Sequence, residues 1–160
     1  MCLQNSWQKV QRIIEGGSER WESSWKAIQA FSDQNSDVSL WFHDAARPFV
    51  SQRILKEVAE ALEEHEAVTV AVPVADTIYQ VENQESRVKS IPSRTEFMRA
   101  QTPQAFHLET IKGAFERAMK NGDIIATDDA GMVYKYMPEV PIFIVQGEEK
   151  NKKITYREDL

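Results

Sequence analysis

Cysteine is nearly missing from this sequence. Cys2 stands alone, so no disulfide closes within the chain and no cysteine-based zinc site can be built. One thiol fits a reducing compartment, and a nucleophilic role for Cys2, so close to the terminus, is not expected. Long apolar runs are lacking too: none approaches the roughly 20 residues that cross a bilayer. The opening MCLQNSWQKVQRII has no signal-peptide core. The expectation is a cytoplasmic protein with no membrane partner. Positive charge is scarce. The net charge of −6 and pI near 5.2 argue against a nucleic-acid partner, whose phosphates demand a basic face. One small phosphorylated molecule fits such a chain, because a few local cations suffice. Glycine is sparse, and the six present never form a Gly-rich phosphate loop. Histidines are few: His43, His65 and His107 fall on different elements without metal-ligand spacing.

What is present reads as one domain over residues 1–160. Hydrophobic residues make up 42% of its 160 residues, enough for a core at this length. Apolar spacing predicts a helix over Glu19 to Phe31, through Trp21, Trp25 and Ile28, with Ser18 as N-cap after the turn Gly16-Gly17. VSLWFH, residues 38–43, reads as a buried strand running into the loop HDAARP. Ile54, Leu55, Val58, Ala61 and Leu62 mark a second amphipathic helix, and AVTVAVPV, residues 67–74, a second strand. Thr77 to Val81 and Arg87 to Ile91 flank the polar turn ENQES as a hairpin. QTPQ is expected to open a helix carrying Leu108, Ile111, Phe115 and Met119. Asp128 or Asp129 caps a further helix, PIFIV forms a strand, and Thr155 with Glu158 has the spacing of a capping box.

Continuously apolar strands alternating with helices imply a sheet covered on both faces. The fold class expected is α/β: a Rossmann-like, mostly parallel sheet with helices on both faces and a projecting β-hairpin arm over residues 76–94. The ends read as cut. The helix expected at Thr155 has little room before Leu160, and the first 15 residues hold no clear strand.

The chemistry-bearing residues are few. HDAARP follows a strand, where open α/β sheets place their binding crevice. Asp44 offers a carboxylate to a ribose hydroxyl or hydrated metal, Arg47 offers a planar fork to phosphate, and Ala45 and Ala46 leave room. An exposed Asp–Arg pair of little consequence explains the motif about as well. Thr102 is a hydroxyl beside a stiffening proline, and a plain N-cap accounts for it. TDDA, residues 127–130, resembles an acidic metal pair, but a capped helix start favours carboxylates equally. Lys150, Lys152 and Lys153 stand where a cation can neutralise a transferring phosphate, or simply form a solvated loop.

The order of the segments says more than any of them singly. GGSERWESSWKAI, LWFHDAARPFVS, AVPVADTI, FMRAQTPQAF, TDDA and NKKITYREDL follow one another. From Arg12 onward this series resembles the 2-C-methyl-D-erythritol 4-phosphate cytidylyltransferases. The resemblance implies a fold of the nucleotide-diphospho-sugar transferase type. It implies transfer of CMP from CTP to methylerythritol phosphate, with pyrophosphate released and Mg²⁺ held mainly through the CTP phosphates. Gly17, Ser18 and Ser23 match the stretch that holds cytosine and ribose, although Ser18 stands where an acidic residue is common. Asp44 and Arg47 match the pair where ribose, metal and acceptor meet. Thr102 and Thr127 match acceptor-side hydroxyls. Lys153, in NKKIT, matches the lysine that neutralises the α-phosphate. Thr77 and Arg94 match residues that grip the acceptor across a homodimer formed through the arm. Lys153, Asp44 and Arg94 are thus the catalytic set the resemblance implies, with no residue assigned as a direct metal ligand.

The same family begins with a strand, a Gly-rich loop around the triphosphate and a second lysine in a Pro-Lys-Gln context. This sequence contains none of them, so the chain is expected to be N-terminally truncated and, alone, inactive or nearly so. Two other readings stand beside the first. One is a ribitol-5-phosphate cytidylyltransferase, disfavoured by FMRAQTPQAF with TDDA. The other is a non-catalytic homologue that only binds or dimerises, disfavoured by the retained Asp44, Arg47, Thr102 and Lys153.

Overall fold

A computed structural model describes residues 9–10, 12–34, 37–82, 87–122 and 124–159. Cys2 and most of the ENQES turn lie outside the described residues.

Helix α1 spans Arg20–Gln29. Its start differs from the expectation. Glu19, not Ser18, is the N-cap, and the Ser18 N–H and hydroxyl both donate to the Glu22 carboxylate at 2.7 Å. These bonds to Ser18 hold the Glu22 carboxyl below its usual range. Strand β1, Ser39–Phe42, leads into the HDAARP loop. Helix α2, Gln52–Ala61, is capped by the Ser51 hydroxyl, which accepts from the Ile54 N–H. Strand β2, Ala67–Pro73, is buried through Val72. Strands β3, Gln80–Val81, and β4, Val88–Ser90, pair antiparallel as the separate hairpin arm. Strand β5, Met98–His107, then feeds helix α3, Leu108–Asn121, which ends at Gly122 with φ of 71°, a conformation glycine adopts freely. Helix α4, Asp129–Tyr136, and strand β6, Ile142–Gln146, complete the body.

The main sheet has the order β1-β5-β2-β6. β2 and β6 pair parallel, and β5 runs antiparallel to both β1 and β2. Three strands therefore share one direction and β5 is reversed. Helices cover both faces, as expected. On one side Ile28, Phe106, Leu108, Ile111, Phe115, Met132 and Val133 pack together, with Trp25 stacked on Phe115 at 5.9 Å. On the other, α2 lays Ile54, Val58 and Leu62 against Val68, Val70, Ala105 and Val145.

QTPQ does not open a helix. It lies inside β5, and α3 starts only at Leu108. Opposite it the ladder shifts: Thr69 pairs with Gln104, whereas Val70 pairs with Gln101. Thr102 and Pro103, joined by a cis peptide, are left out of the pairing with β2. A bulge is where a strand tolerates proline, which has no N–H to give the ladder. The capping box at Thr155 is also replaced. Residues 157–159 make a short 3₁₀ turn, and the Asp159 carboxylate accepts from the N–H groups of Thr155 and Tyr156 at 2.8 and 2.9 Å. Those two bonds lower the Asp159 pKa.

Candidate active site

The bulge decides where Thr102 points. Freed from β2, its hydroxyl accepts the Asp44 N–H at 3.0 Å and lies 2.9 Å from His43 Nδ1. The HDAARP loop is thereby fastened to β5. A second fastening joins it to the loop after β6. The Arg47 guanidinium donates to the Asn151 carbonyl at 2.8 Å, and the Ile154 N–H donates to the Ala46 carbonyl at 2.8 Å. These bonds bring Lys153 Nζ to 3.4 Å from an Asp44 carboxylate oxygen, with Arg47 Nε at 3.3 Å from the same oxygen. Two cations share one carboxylate. The lip of this cleft therefore carries surplus positive charge on a chain whose net charge is −6.

The loop that carries Lys153 is held from behind. Asn151 is fully buried and donates to the Gln101 side chain at 3.2 Å and to the Thr102 carbonyl at 2.9 Å. Gln101 in turn donates to the Glu148 carbonyl at 2.9 Å. Gly147 fits only because it lacks a side chain, since a Cβ there would stand 2.5 Å from Gln101 Oε1 and 3.0 Å from Val72. Glu148 accepts from Ser51 and Arg53 at 2.9 Å and pairs with Lys150 at 3.0 Å. Lys150, Ser51 and Arg53 together hold its carboxyl down at about 2.

Across the cleft stands the start of α4. Asp128 caps the helix with one oxygen, 2.8 Å from the Gly131 N–H, and receives the Gln104 amide on the other at 2.7 Å. Gln104, itself buried, also accepts the Ala130 N–H at 3.1 Å, which locks β5 to α4. The capping reading of TDDA is the one the geometry gives. Asp129 does not line the cleft; its buried carboxylate pairs with the half-exposed Arg20 at 2.5 Å. Arg20 thereby ties the first turn of α1 to the first turn of α4.

The cleft is lined by Arg20, Asp44, Arg47, Thr102, Thr127 and Lys153, backed by Gln101, Gln104 and Asp128. Of the sequence-derived candidates, Asp44, Arg47, Thr102, Thr127 and Lys153 are brought together. Gly17, Ser18 and Ser23 sit at the start of α1, outside the lining but within a turn of Arg20; the Gly17 N–H donates to the Ser23 hydroxyl at 2.9 Å. Thr77 and Arg94 also stand outside it. Both are exposed near the arm, and the Arg94 guanidinium bonds the Ala75 carbonyl. Sequence reasoning did not single out Arg20, Gln101, Gln104 or Asn151. Arg20 carries no signal beyond its place in a helix. Both glutamines fall in a segment expected to be helical, and Asn151 was visible only as the first letter of NKKIT. Among the described residues no group of three or more His, Cys, Asp or Glu side chains is placed to hold a metal ion, and no helix is long and apolar enough to cross a membrane.

The family model described as IspD, 2-C-methyl-D-erythritol 4-phosphate cytidylyltransferase, matches residues 2–160. A 2-C-methyl-D-erythritol 4-phosphate cytidylyltransferase of Thermobifida fusca (strain YX) is 44% identical over 163 residues, covering 100% of this chain and 66% of that protein. The bifunctional ribulose 5-phosphate reductase/CDP-ribitol pyrophosphorylase Bcs1 of Haemophilus influenzae is 42% identical over 152 residues, covering 95% of this chain and 32% of that protein. Among solved structures, the Francisella tularensis 2-C-methyl-D-erythritol 4-phosphate cytidylyltransferase superposes with a TM-score of 0.83 at 28% identity, over 96% of this chain and 71% of that one. The chain thus spans 66% and 32% of the lengths of the two curated relatives.

Proposed function

This chain belongs to the 2-C-methyl-D-erythritol 4-phosphate cytidylyltransferase family, and on that premise we propose that its cleft takes part in CMP transfer from CTP to 2-C-methyl-D-erythritol 4-phosphate. A phosphate oxygen of the acceptor attacks the α-phosphorus of CTP in line. The bond from the α-phosphorus to the bridging oxygen breaks, and pyrophosphate leaves. Such a transfer needs mostly positioning and charge neutralisation from the protein. The observation that carries the reading is the convergence of Lys153 and Arg47 on Asp44 in a cleft that Thr102 and Thr127 also line.

In this reading Lys153 neutralises charge developing on the α-phosphate. Arg47 meets a phosphate oxygen through the N–H groups that Asp44 and the Asn151 carbonyl leave open, and Asp44 orients both cations and meets the ribose or the acceptor. Gly17, Ser18 and Ser23 hold the cytosine and its ribose, while Thr102 and Thr127 hold the acceptor. Thr77 and Arg94 serve the acceptor site of a second copy in a homodimer built through the arm. Mg²⁺, when bound, offsets triphosphate charge. It is held mainly by the CTP phosphates, with Asp44 the one cleft carboxylate not engaged as a helix cap. A cytoplasmic setting belongs to the same proposal. The 160 residues contain no Gly-rich loop to supply amides to a triphosphate, and slow turnover by them alone follows.

A second reading, transfer to ribitol 5-phosphate, is supported by the relative that is a CDP-ribitol pyrophosphorylase. Pyrophosphate release with CTP, Mg²⁺ and each acceptor in turn separates the two. The first reading expects turnover with methylerythritol phosphate to exceed that with ribitol 5-phosphate, and the reverse preference rejects it.

A further inference from the structure

We infer that His43 is a positioning residue that fixes the proton of the Thr102 hydroxyl, so that the ligand group Thr102 meets is an alcohol hydroxyl and not a phosphate oxygen. The identity of the ligand rests on the acceptor-side reading above; the geometry does not. His43 Nε2 lies 3.0 Å from the Arg47 carbonyl oxygen. A carbonyl only accepts, so Nε2 carries a proton. In the neutral ring Nδ1 is then bare and accepts. Thr102 Oγ1 lies 2.9 Å from that Nδ1, so its hydroxyl donates there. The same oxygen accepts the Asp44 N–H at 3.0 Å.

A hydroxyl has one proton and two lone pairs. With the proton given to His43 and one lone pair to Asp44, Thr102 has only a lone pair left for the cleft that it lines. A phosphate oxygen, itself an acceptor, gains nothing from a lone pair. A polyol O–H does. The cleft divides its work accordingly: phosphate oxygens go to Arg47 and Lys153, and a hydroxyl of the sugar alcohol goes to Thr102. His43 touches no ligand in this scheme and acts entirely through Thr102.

The test has two arms. Long-range ¹H–¹⁵N NMR of the folded chain reads the tautomer of His43. A neutral Nε2–H ring is expected, and any form with a proton on Nδ1, the doubly protonated ring included, overturns the inference. The second arm titrates the wild-type chain, Thr102→Val and Thr102→Ser with 2-C-methyl-D-erythritol 4-phosphate and, separately, with inorganic phosphate. Loss of one hydrogen bond should weaken the polyol phosphate about tenfold in Thr102→Val. Inorganic phosphate should lose less in that variant than the polyol phosphate does, its loss being only that of freeing the HDAARP loop, and Thr102→Ser should restore the polyol affinity. An equal loss of both probes leaves no contribution specific to the alcohol, and the inference fails. His43→Asn, whose amide oxygen stands near the place of Nδ1, should keep affinity that His43→Leu loses; equal losses count against the positioning role. If the polyol phosphate does not bind the wild-type chain at all, the functional reading and the ligand half of the inference fall together, while the tautomer still decides the role of His43.

Discussion

At the scale of single residues, the site depends on positions where nothing larger fits and on buried groups with few alternatives. Gly17 shows the first kind. A Cβ there would stand 2.1 Å from the Glu22 Cβ and 3.1 Å from the Glu22 backbone carbon. Gly17→Ala must therefore push the entry of α1 away from its first turn, at a cost of about 1–3 kcal/mol typical of overpacking. Urea denaturation is expected to show a lowered midpoint; an unchanged midpoint would mean that the entry moves freely. Asn151 shows the second kind. It was legible only as part of a motif, and its value to the motif is structural: it is the buried peg that fixes the loop bearing Lys153. A string of residues in a motif does not say which are ligand contacts and which hold the others in place.

At the scale of elements, the legible parts were those set by local periodicity. The apolar spacing of α1 and α2, the continuous run of β2 and the capping aspartate of α4 all appear within a residue or two of where the pattern puts them. β5 was illegible for a physical reason. Proline after a small polar residue is a sound helix-start signal, but the bulge that accommodates Pro103 is defined by its partner strand β2, distant in sequence. The reversal of β5 is likewise a matter of pairing, which a single segment does not encode. The junction of α2 with the loop after β6 gives a prediction at this scale. Glu148 titrates normally near 4.5 when free and at about 2 in the fold, because Lys150, Ser51 and Arg53 favour its charged form. A depressed carboxyl contributes stability that is present above its unfolded pKa and is lost as the pH falls through its folded one. The stability gap between wild type and Glu148→Gln should be constant above about pH 5 and close progressively between 4.5 and about 2. Denaturation curves across that range check this, and a gap independent of pH contradicts it.

At the scale of the whole molecule, the arm is the part that the rest of this chain does not explain. Its strands have two and three residues, and Tyr79, Val81, Val88 and Ile91 expose large apolar surface on or beside it. A hairpin that small is marginal in water unless something covers it. A second copy is the proposed cover. Sedimentation should find a dimer that Ile91→Asp shifts toward monomer; a wild-type chain that sediments as a monomer at micromolar concentration contradicts the proposal. The central claim is that Lys153, held beside Asp44 by the two loops, neutralises the phosphate being transferred. Its most direct test is pyrophosphate release from CTP, Mg²⁺ and 2-C-methyl-D-erythritol 4-phosphate by wild type and Lys153→Ala, with folding of the variant checked by circular dichroism. The account predicts that the slow wild-type turnover falls by about 100- to 1,000-fold, or below detection, with an intact fold. A folded Lys153→Ala chain that turns over as the wild type does would contradict it.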